Sequence, residues 1–304
     1  MLVDNVEQAQ RSWHKLAACH QVLFIDHRQL TSSLQPTAIE PWGWNKALRA
    51  MLLRRGVSEI QMPTLLQLQT IRQLSHRRTA AQLLPRLRQK GTVGEAFECE
   101  TTGQVEALLS RYGQIVMKAP WSSSGRGLRY LSVGRTPLSM QAGWLHNVVA
   151  MQESVIVEPY YNKVKDFGME FHSDGHGHVN YLGLSLFSTA NGAYTGNIIA
   201  TENTKQKMIA RYIPADLLNS TKEKICSELS YIYNGKYQGP LGVDMMVVGN
   251  GEDTFLLHPC VEINLRRTMG HVAISLSPDD DNDLQRVMRI EYSGNSYKLK
   301  IKRL

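Results

Sequence analysis

The sequence predicts a mixed α+β (α/β) protein built on antiparallel sheets, with a short α/β unit ahead of them. From about Phe97, short apolar runs alternate with segments whose apolar residues fall at helical spacing. Two pairs of apolar runs flank the turns Ser173–Gly177 and Gly249–Asp253, which is typical of antiparallel hairpins. The 304 residues are 42% apolar and 20% charged, which excludes a fibrous or wholly disordered chain. No apolar stretch reaches the about 18 residues of a membrane-spanning helix.

The first part of the chain predicts a short α/β unit, which we assign to residues 1–75. Gln21–Asp26 has the apolar run of a buried strand. The segment from Trp42 to Gly56 carries apolar residues at helical spacing, with the glycine as the C-terminal stop. Val57–Pro63 predicts a second short strand. Residues 76–304 then form the main domain.

The main domain begins with a helix that Thr101 or Thr102 caps and Gly113 ends, followed by a strand that ends in Lys118. A polar loop leads to the return strand Leu128–Val133. The further predicted elements are a helix at Leu138–Met151, strands at Val155–Val157, Phe167–Phe171 and His178–Phe187, a helix from Ser220 or Thr221, strands at Gly242–Val248 and Phe255–Asn264, a helix near Asp283–Arg289 and a final segment at Tyr292–Ile301.

Basic residues are in excess, which favours anionic partners without choosing among them. Lys and Arg outnumber Asp and Glu by 34 to 27, and the net charge is +7. The basic patch His76–Lys90 also carries Leu83, Leu84 and Leu87 at helical spacing, which predicts an amphipathic helix packed on the core with solvated charges. A basic protein that binds nucleic acid or an acidic partner is the alternative function class, although no nucleic-acid-binding motif occurs. The four cysteines form no CxxC pair, which excludes a zinc ribbon.

A polar loop after a strand-end lysine is suited to binding phosphate. Lys118 is followed by the serine- and glycine-rich run Ser122–Gly127. Hydroxyls and free backbone N–H groups in such a turn can surround phosphate oxygens, and the lysine adds positive charge. The run is neither a P-loop nor a dinucleotide-binding glycine motif. Taken alone, it is more simply a solvent-exposed hairpin, although Trp121 is unusual in so polar a loop.

Two predicted strands bring carboxylates together. Alternation of side chains places Glu262, Asn264 and Arg266 on one face of their strand. A hairpin centred near Asp253 places Asp244 opposite Glu262. Two carboxylates and an amide oxygen form a hard oxygen site suited to Mg²⁺. The alternative is an ordinary polar sheet face in which Asp244 binds Arg266.

A third segment combines a strand end with two acids. Glu158-Pro159-Tyr160-Tyr161 ends a predicted strand, where free backbone groups could pair with the edge of a purine, and Asp166 is close enough to accept a ribose hydroxyl. Without further context, this segment is a strand that stops at a proline.

In this order, the three segments resemble the ATP-grasp superfamily, in particular carboxylate–amine/thiol ligases of the D-alanine–D-alanine ligase-like type. The resemblance covers about residues 77–271, roughly two-thirds of the chain, and the matching segments are IVMKAPWSSSGRG, VIVEPYYNKVKDFGMEF, GVDMMVV and VEINLRRTMG. It implies an ATP-grasp fold, in which two α+β subdomains hold ATP between antiparallel sheets. The central subdomain would span about 97–157 with the Ser/Gly loop, and the C-terminal subdomain about 158–304 with the metal site.

The resemblance also implies a role for individual residues. The phosphate-binding residues would be Lys118 and the loop residues Ser122, Ser123, Ser124 and Gly125. Glu158 would recognise the adenine amino group together with the segment up to Tyr160 and Tyr161, and Asp166 would bind the ribose. The magnesium ligands would be Asp244, Glu262 and Asn264, with Arg266 near the transferred phosphate. The family's other lysine has no direct counterpart; Arg77 or Arg78 stands in its place, and we carry Arg78 as a nucleotide-binding candidate.

The implied activity is an ATP-dependent ligase that uses Mg²⁺, with Mn²⁺ as the alternative ion. Lys118 and Arg266 would offset charge while a substrate carboxylate becomes an acylphosphate, which an amine then attacks. Arg267, one position out of phase, would meet the acceptor carboxylate or form a surface ion pair. The partners would be ATP and small-molecule or peptide carboxylates and amines, with neither nucleic acid nor membrane. An ATP-grasp kinase or a catalytically silent relative is the alternative within this fold.

The remaining features concern localisation, one loop and the histidines, and the sequence identifies neither the substrates nor the oligomeric state. Met1–Gln10 carries acids and amides where a signal peptide needs a basic start, so a cytoplasmic protein is the default expectation. Tyr194–Asn197 predicts a mobile loop near the acceptor. The histidines of the turn after Phe171 could suggest a transition-metal site, but solvent-facing turn residues explain them more simply. His258 and His271, which flank the E-x-N-x-R strand, could contact substrate, but hydrogen-bonded core histidines are the simpler prediction.

Overall fold

The computed structural model describes residues 38–122, 126–190, 193–280, 285–293 and 296–304, with isolated positions before residue 38. The helices are α1 (Lys46–Arg54), α2 (Leu65–Leu74), α3 (Arg78–Leu87), α4 (Thr102–Tyr112), α5 (Ala142–Gln152), α6 (Glu202–Ala210), α7 (Ala215–Tyr233) and α8 (Met269–Ser275). The strands are β1 (Phe97–Cys99), β2 (Gln114–Lys118), β3 (Leu128–Ser132), β4 (Val155–Pro159), β5 (Lys163–Ser173), β6 (Val179–Ser185), β7 (Phe187–Ala190), β8 (Ala193–Ile199), β9 (Gly239–Gly249), β10 (Phe255–Asn264), β11 (Arg286–Ser293) and β12 (Ser296–Arg303).

The N-terminal segment differs in part from the prediction. The helix expected before Gly56 is confirmed as α1, and the Asn45 side chain caps it by accepting the N–H of Leu48 at 2.9 Å. The strand predicted at Val57–Pro63 is wrong, because its middle forms a single 3₁₀ turn in which Ile60 is 96% exposed. The predicted strand at Gln21–Asp26 lies almost wholly outside the described residues.

The first sheet has the strand order β1-β4-β2-β3, and all its neighbours are antiparallel. A capping box between Thr101 and Gln104 starts α4, and Gly113 ends it at a positive φ of 73°, as its sequence predicts. The helices α4 and α5 contact this sheet. The buried side chains of this layer include Val105, Leu131 and Leu145. The polar loop therefore joins two neighbouring strands, β2 and β3, as expected of a hairpin.

The second sheet has the order β10-β9-β5-β6, and it is also antiparallel throughout. Both predicted hairpins are confirmed, since β5 pairs with β6 and β9 pairs with β10. The helix predicted from Ser220 or Thr221 begins earlier, at Ala215, where Pro214 can precede a first turn that contains Asp216. This sheet and α7 form the largest apolar cluster of the described chain.

The basic patch lies on α3 and its flanks. Leu83, Leu84 and Leu87 are buried against the second sheet, as the helical spacing predicts. Arg86 is exposed and pairs with Glu228 at 2.9 Å. Arg77, in contrast, is buried rather than solvated. The patch is therefore mainly a packed helix, and its buried arginine belongs to the site described below.

A third sheet, with the order β12-β11-β8-β7, contradicts two predictions. The helix predicted near Asp283–Arg289 is wrong where the structure describes it, because Arg286–Ser293 is a strand in which Met288 is fully buried. The mobile loop predicted at Tyr194–Asn197 is instead part of β8, and Asn197 is buried opposite Met288. A local pattern could not show this pairing, because the partner strand is distant in sequence. None of the helices in the described ranges is both long and apolar enough to cross a bilayer.

Candidate functional site

Asp244 and Glu262 face each other across β9 and β10, as the hairpin predicts. Asn264 Nδ2 donates to Asp244 Oδ2 at 3.1 Å, and Arg266 donates to Asn264 Oδ1 at 2.7 Å. The expected alternative, in which Arg266 binds Asp244 directly, is not what the structure shows. The asparagine stands between the two, so one polar row runs from the carboxylates to the arginine.

A third carboxylate, Glu170 on β5, lies close to this row and was missed in the sequence. Burial, followed by the charges of Glu262 and Glu170, raises the pKa of Asp244. Glu170 is itself buried, and its Oε2 lies 3.0 Å from Nδ1 of His271, which is also buried. The sequence feature that could have identified Glu170 is its position as an acid inside the apolar run Phe167–Phe171. The same pattern made Asp244 a candidate. The acids create a concentration of negative charge that a cation would relieve.

The two predicted core histidines differ. His271 accepts the backbone N–H of Thr268 at its Nδ1 (3.1 Å), and its Nε2 lies 3.3 Å from the carbonyl oxygen of Phe171. It is therefore a hydrogen-bonded core histidine, as predicted. His258 is also fully buried, but neither ring nitrogen has a hydrogen-bond partner in the described part of the chain, so that half of the prediction is wrong. Burial, aided by the nearby Lys118 charge, lowers the pKa of His258 to about 3.

Lys118 and Glu158 form a buried ion pair in the first sheet. Lys118 ends β2, and Glu158 stands near the end of the adjacent β4, so Nζ approaches Oε1 to 2.5 Å. Both side chains are about 8% exposed. The residue predicted to bind phosphate and the residue predicted to bind adenine are thus in direct contact, and each supplies the charge that the other needs when buried.

Arg77 connects the polar loop to the acids of the second sheet. One terminal nitrogen lies 2.7 Å from Glu262 Oε2, and the other donates to the carbonyl oxygen of Ser122 at 3.1 Å. Its Nε donates to the carbonyl oxygen of Ala119 at 3.1 Å. Arg78 instead pairs with Glu98 at 2.8 Å. Of the two arginines that the sequence left open, the structure brings Arg77 to the acids.

The start of the loop is fixed by Trp121. Its backbone N–H donates to Gln152 Oε1 and its indole N–H to the carbonyl oxygen of Arg72, both at 2.9 Å. The Arg72 guanidinium lies 4.2 Å from the indole ring centre, a cation–π distance. The predicted loop residues Ser123, Ser124 and Gly125 lie outside the described residues. Trp121, which is unusual in so polar a loop, therefore holds the start of the loop in place through these contacts.

The remaining candidates lie apart from this polar row or are already bound. Asp166 Oδ2 accepts from Lys163 at 2.6 Å and from Thr189 at 2.5 Å. Tyr160 is about half exposed, whereas the Tyr161 hydroxyl accepts the N–H of Glu95 at 2.9 Å, and burial raises the pKa of Tyr161. Arg267 pairs with Glu40 at 2.5 Å.

The histidines of the β5–β6 turn surround Asp174. Its Oδ1 accepts the backbone N–H groups of His176 and His178, and these bonds lower the pKa of Asp174. No group of three or more His, Cys, Asp or Glu side chains placed to hold a metal occurs within the residues described. The magnesium prediction therefore depends on two carboxylates and one amide. That set suits an ion that takes its other ligands from phosphates and water, as Mg²⁺ commonly does.

Comparison with solved structures shows that the chain has the ATP-grasp fold, as its sequence predicts. Pyruvate carboxylase of Rhizobium etli matches 94% of this chain and 25% of its own, at 15% identity and a TM-score of 0.56. The biotin carboxylase domain of Hydrogenobacter thermophilus 2-oxoglutarate carboxylase was crystallised with MgADP and bicarbonate. It matches 81% of this chain and 55% of its own, at 13% identity and a TM-score of 0.54.

N5-carboxyaminoimidazole synthase of Aspergillus clavatus, in complex with ADP and 5-aminoimidazole ribonucleotide, matches 97% of this chain and 75% of its own, at 13% identity and a TM-score of 0.52. This chain thus spans about half of the carboxylase domain and a quarter of the pyruvate carboxylase. No family model and no curated protein matches the sequence. At such low identities the likeness is one of fold.

Proposed function

We propose that the protein is an ATP- and Mg²⁺-dependent ligase that activates a substrate carboxylate as an acylphosphate for attack by an amine. The observation that carries the proposal is the Arg77 contact set. This buried arginine joins Ser122, at the start of the polar loop, to Glu262 of the acid pair. A loop suited to phosphate and a pair of acids suited to Mg²⁺ are thus held against each other, in a fold of which two solved examples were crystallised with ADP.

The nucleotide would lie between the first and second sheets. Glu158 and the backbone up to Tyr161 would bind the adenine, and Asp166 would bind the ribose by exchanging one of its present contacts. Lys118 would turn from Glu158 towards the phosphates, which Ser122–Gly125 would cover. Arg77 takes the role that we first gave to Arg78, because it reaches both the loop and Glu262.

In the proposed reaction, a carboxylate oxygen of the acid attacks the γ-phosphorus and ADP leaves. An amine then attacks the acyl carbon: the C–N bond forms, the acyl C–O bond breaks, inorganic phosphate leaves with that oxygen, and the amine nitrogen loses a proton to solvent. Mg²⁺ held by Asp244, Glu262 and Asn264 would supply charge neutralisation at the phosphates. Lys118, Arg77 and Arg266 add fixed positive charge around the transferred group, in a site where burial strengthens electrostatic interactions. No side chain needs to act as a covalent nucleophile.

The first test is a calorimetric titration of ATP with Mg²⁺. We expect a dissociation constant in the micromolar range, about tenfold or greater weakening in Lys118→Ala, and a loss mainly of Mg²⁺ dependence in Glu262→Gln. Lys46→Ala, an exposed lysine at the start of α1, is the control. Circular dichroism must show that each variant is folded. Absence of ATP binding by the folded wild-type protein would refute the proposal. Among acids and amines that stimulate ADP release, a phosphorylated product without amide formation would identify a kinase instead.

Gly127→Ala gives a second test that does not remove a charge. A Cβ at Gly127 would lie 2.2 Å from Ser122 Oγ and 2.3 Å from Ser122 Cβ, so Ser122 must move away. We expect ATP affinity to fall about tenfold, the order of one lost charge-assisted contact, and the melting temperature to fall as well, because the Cβ of Ser122 and not only its hydroxyl must shift. Gly103→Ala is the matched control, since nothing lies within 4 Å of its Cβ position and alanine favours its helix. Equal ATP affinity in Gly127→Ala and wild type would argue against a phosphate role for this loop.

A further inference from the structure

A cavity of about 810 Å³ lies beside Arg266, between the segment Ile39–Trp44 and the second sheet. Its volume is within the range of small-molecule sites. Arg266 and Arg267 both line it, and Arg266 also donates to Asn264 of the polar row. The cavity therefore adjoins the place where the proposed function puts the transferred phosphoryl group.

The charges of the lining favour an anion. Among the described residues, the cationic side chains of the lining are Arg266, Arg267 and Lys236, and the one acid is Glu40. Glu40 pairs with Arg267, but its side chain is 75% exposed, so this contact is weak and easily exchanged. A carboxylate entering the cavity could replace Glu40 on a guanidinium that already has a geometry suited to carboxylates.

The rest of the lining favours an apolar or planar body with an N–H group. Two tryptophans, Trp44 and the half-exposed Trp42, are among the lining residues. Gln61 also lines the cavity; its Nε2 donates to the carbonyl oxygen of Pro36 at 2.6 Å, whereas its buried Oε1 has no hydrogen-bond partner in the described ranges. A buried acceptor without a partner is costly, and a donor on a bound molecule would satisfy it.

We propose that this cavity binds the acid substrate, an organic carboxylate with an apolar or planar body and an N–H donor. The carboxylate lies between Arg266 and Arg267, the body packs on the two indole rings, and the N–H reaches Gln61. The chemical fate of that carboxylate depends on the proposed ligase function, but its binding does not.

The test uses N-acetyl-phenylalanine and its neutral amide as probes, titrated calorimetrically without ATP or Mg²⁺. We expect saturable binding of the acid and at least about tenfold weaker binding of the amide. Arg267→Gln should weaken binding of the acid about tenfold, whereas Glu40→Gln should strengthen it, because the competing carboxylate is gone. Arg135→Gln, an exposed arginine in the turn after β3, should leave the affinity unchanged.

Opposite effects of the Arg267 and Glu40 variants support the inference. It is overturned by equal affinities for acid and amide, by acid binding that Arg267→Gln leaves unchanged, or by the absence of saturable acid binding. ATP titration of the same preparation separates the two proposals. Acid binding without ATP binding supports the proposed acid site and refutes the proposed ligase function. ATP binding without acid binding refutes the acid site and leaves the ligase function supported.

Discussion

Replacing Lys118 with methionine is expected to destabilise the fold by about 3–5 kcal/mol, because it leaves the buried Glu158 carboxylate without its cation. The double variant Lys118→Met/Glu158→Leu should recover most of that loss, since two apolar side chains can fill the same space without an unpaired charge. The same double variant should not bind ATP. Urea unfolding monitored by circular dichroism measures the first effect, and calorimetry the second.

The exposed pair Arg86–Glu228 supplies the control for this comparison of the single and double variants. Arg86→Met should shift the urea midpoint far less than Lys118→Met, because both partners are at the surface of α3 and α7. Two outcomes contradict the prediction: a Lys118→Met variant as stable as wild type, or a double variant as unstable as the single one. Recovered stability together with retained ATP binding would exclude this pair from the nucleotide site.

Asp244→Asn is expected to stabilise the protein at neutral pH by about 1–3 kcal/mol while it weakens Mg²⁺-ATP binding. The folded state raises the pKa of Asp244, chiefly through burial and then through Glu262 and Glu170. Stability linked to this group is therefore fully present below its unfolded-state pKa of about 3.9 and falls as the pH rises through the higher folded value. Asparagine keeps an oxygen to accept from Asn264 but carries no charge.

Thermal unfolding at pH 5 and pH 8 measures this effect. The advantage of Asp244→Asn over wild type should grow with pH, and Mg²⁺-ATP should raise the melting temperature of wild type more than that of the variant. Asp253→Asn is the matched control, because Asp253 is exposed in the β9–β10 turn and asparagine tolerates its positive φ of 51°. If the two variants have the same pH dependence, the charge at Asp244 is not the cause.

The sequence predicted both hairpins of the second sheet and the pairing of Asp244 with Glu262. These features depend on alternation and turn position, which are local. It did not predict that Arg77 rather than Arg78 reaches Glu262, because α3 lies far from β10 in sequence and only packing brings them together. Glu170 was missed for a similar reason: its neighbours across the sheet, not its own segment, make it part of the site.

Two errors lie in the third sheet. Tyr194–Asn197 is polar enough to resemble a loop, but it forms a strand that pairs with β7 and, from Asn197 onward, also with β11. The strand predicted at Val57–Pro63 fails differently, since Ile60 is apolar yet exposed and so gave a misleading strand pattern. In all three segments the local pattern was a weak guide, because pairing with neighbouring strands and packing decide whether a segment becomes a strand.

The pairing of β8 with β11 has a consequence during synthesis. Until residues 286–293 have left the ribosome, β8 has an open edge on the side that β11 will occupy, and Ile199 lacks the Met288 side chain that shares its apolar cluster. An open strand edge invites pairing with other chains. The growing chain therefore carries an association-prone edge through the time needed to make α6, α7, β9, β10 and α8. Slow translation across that interval would prolong the hazard.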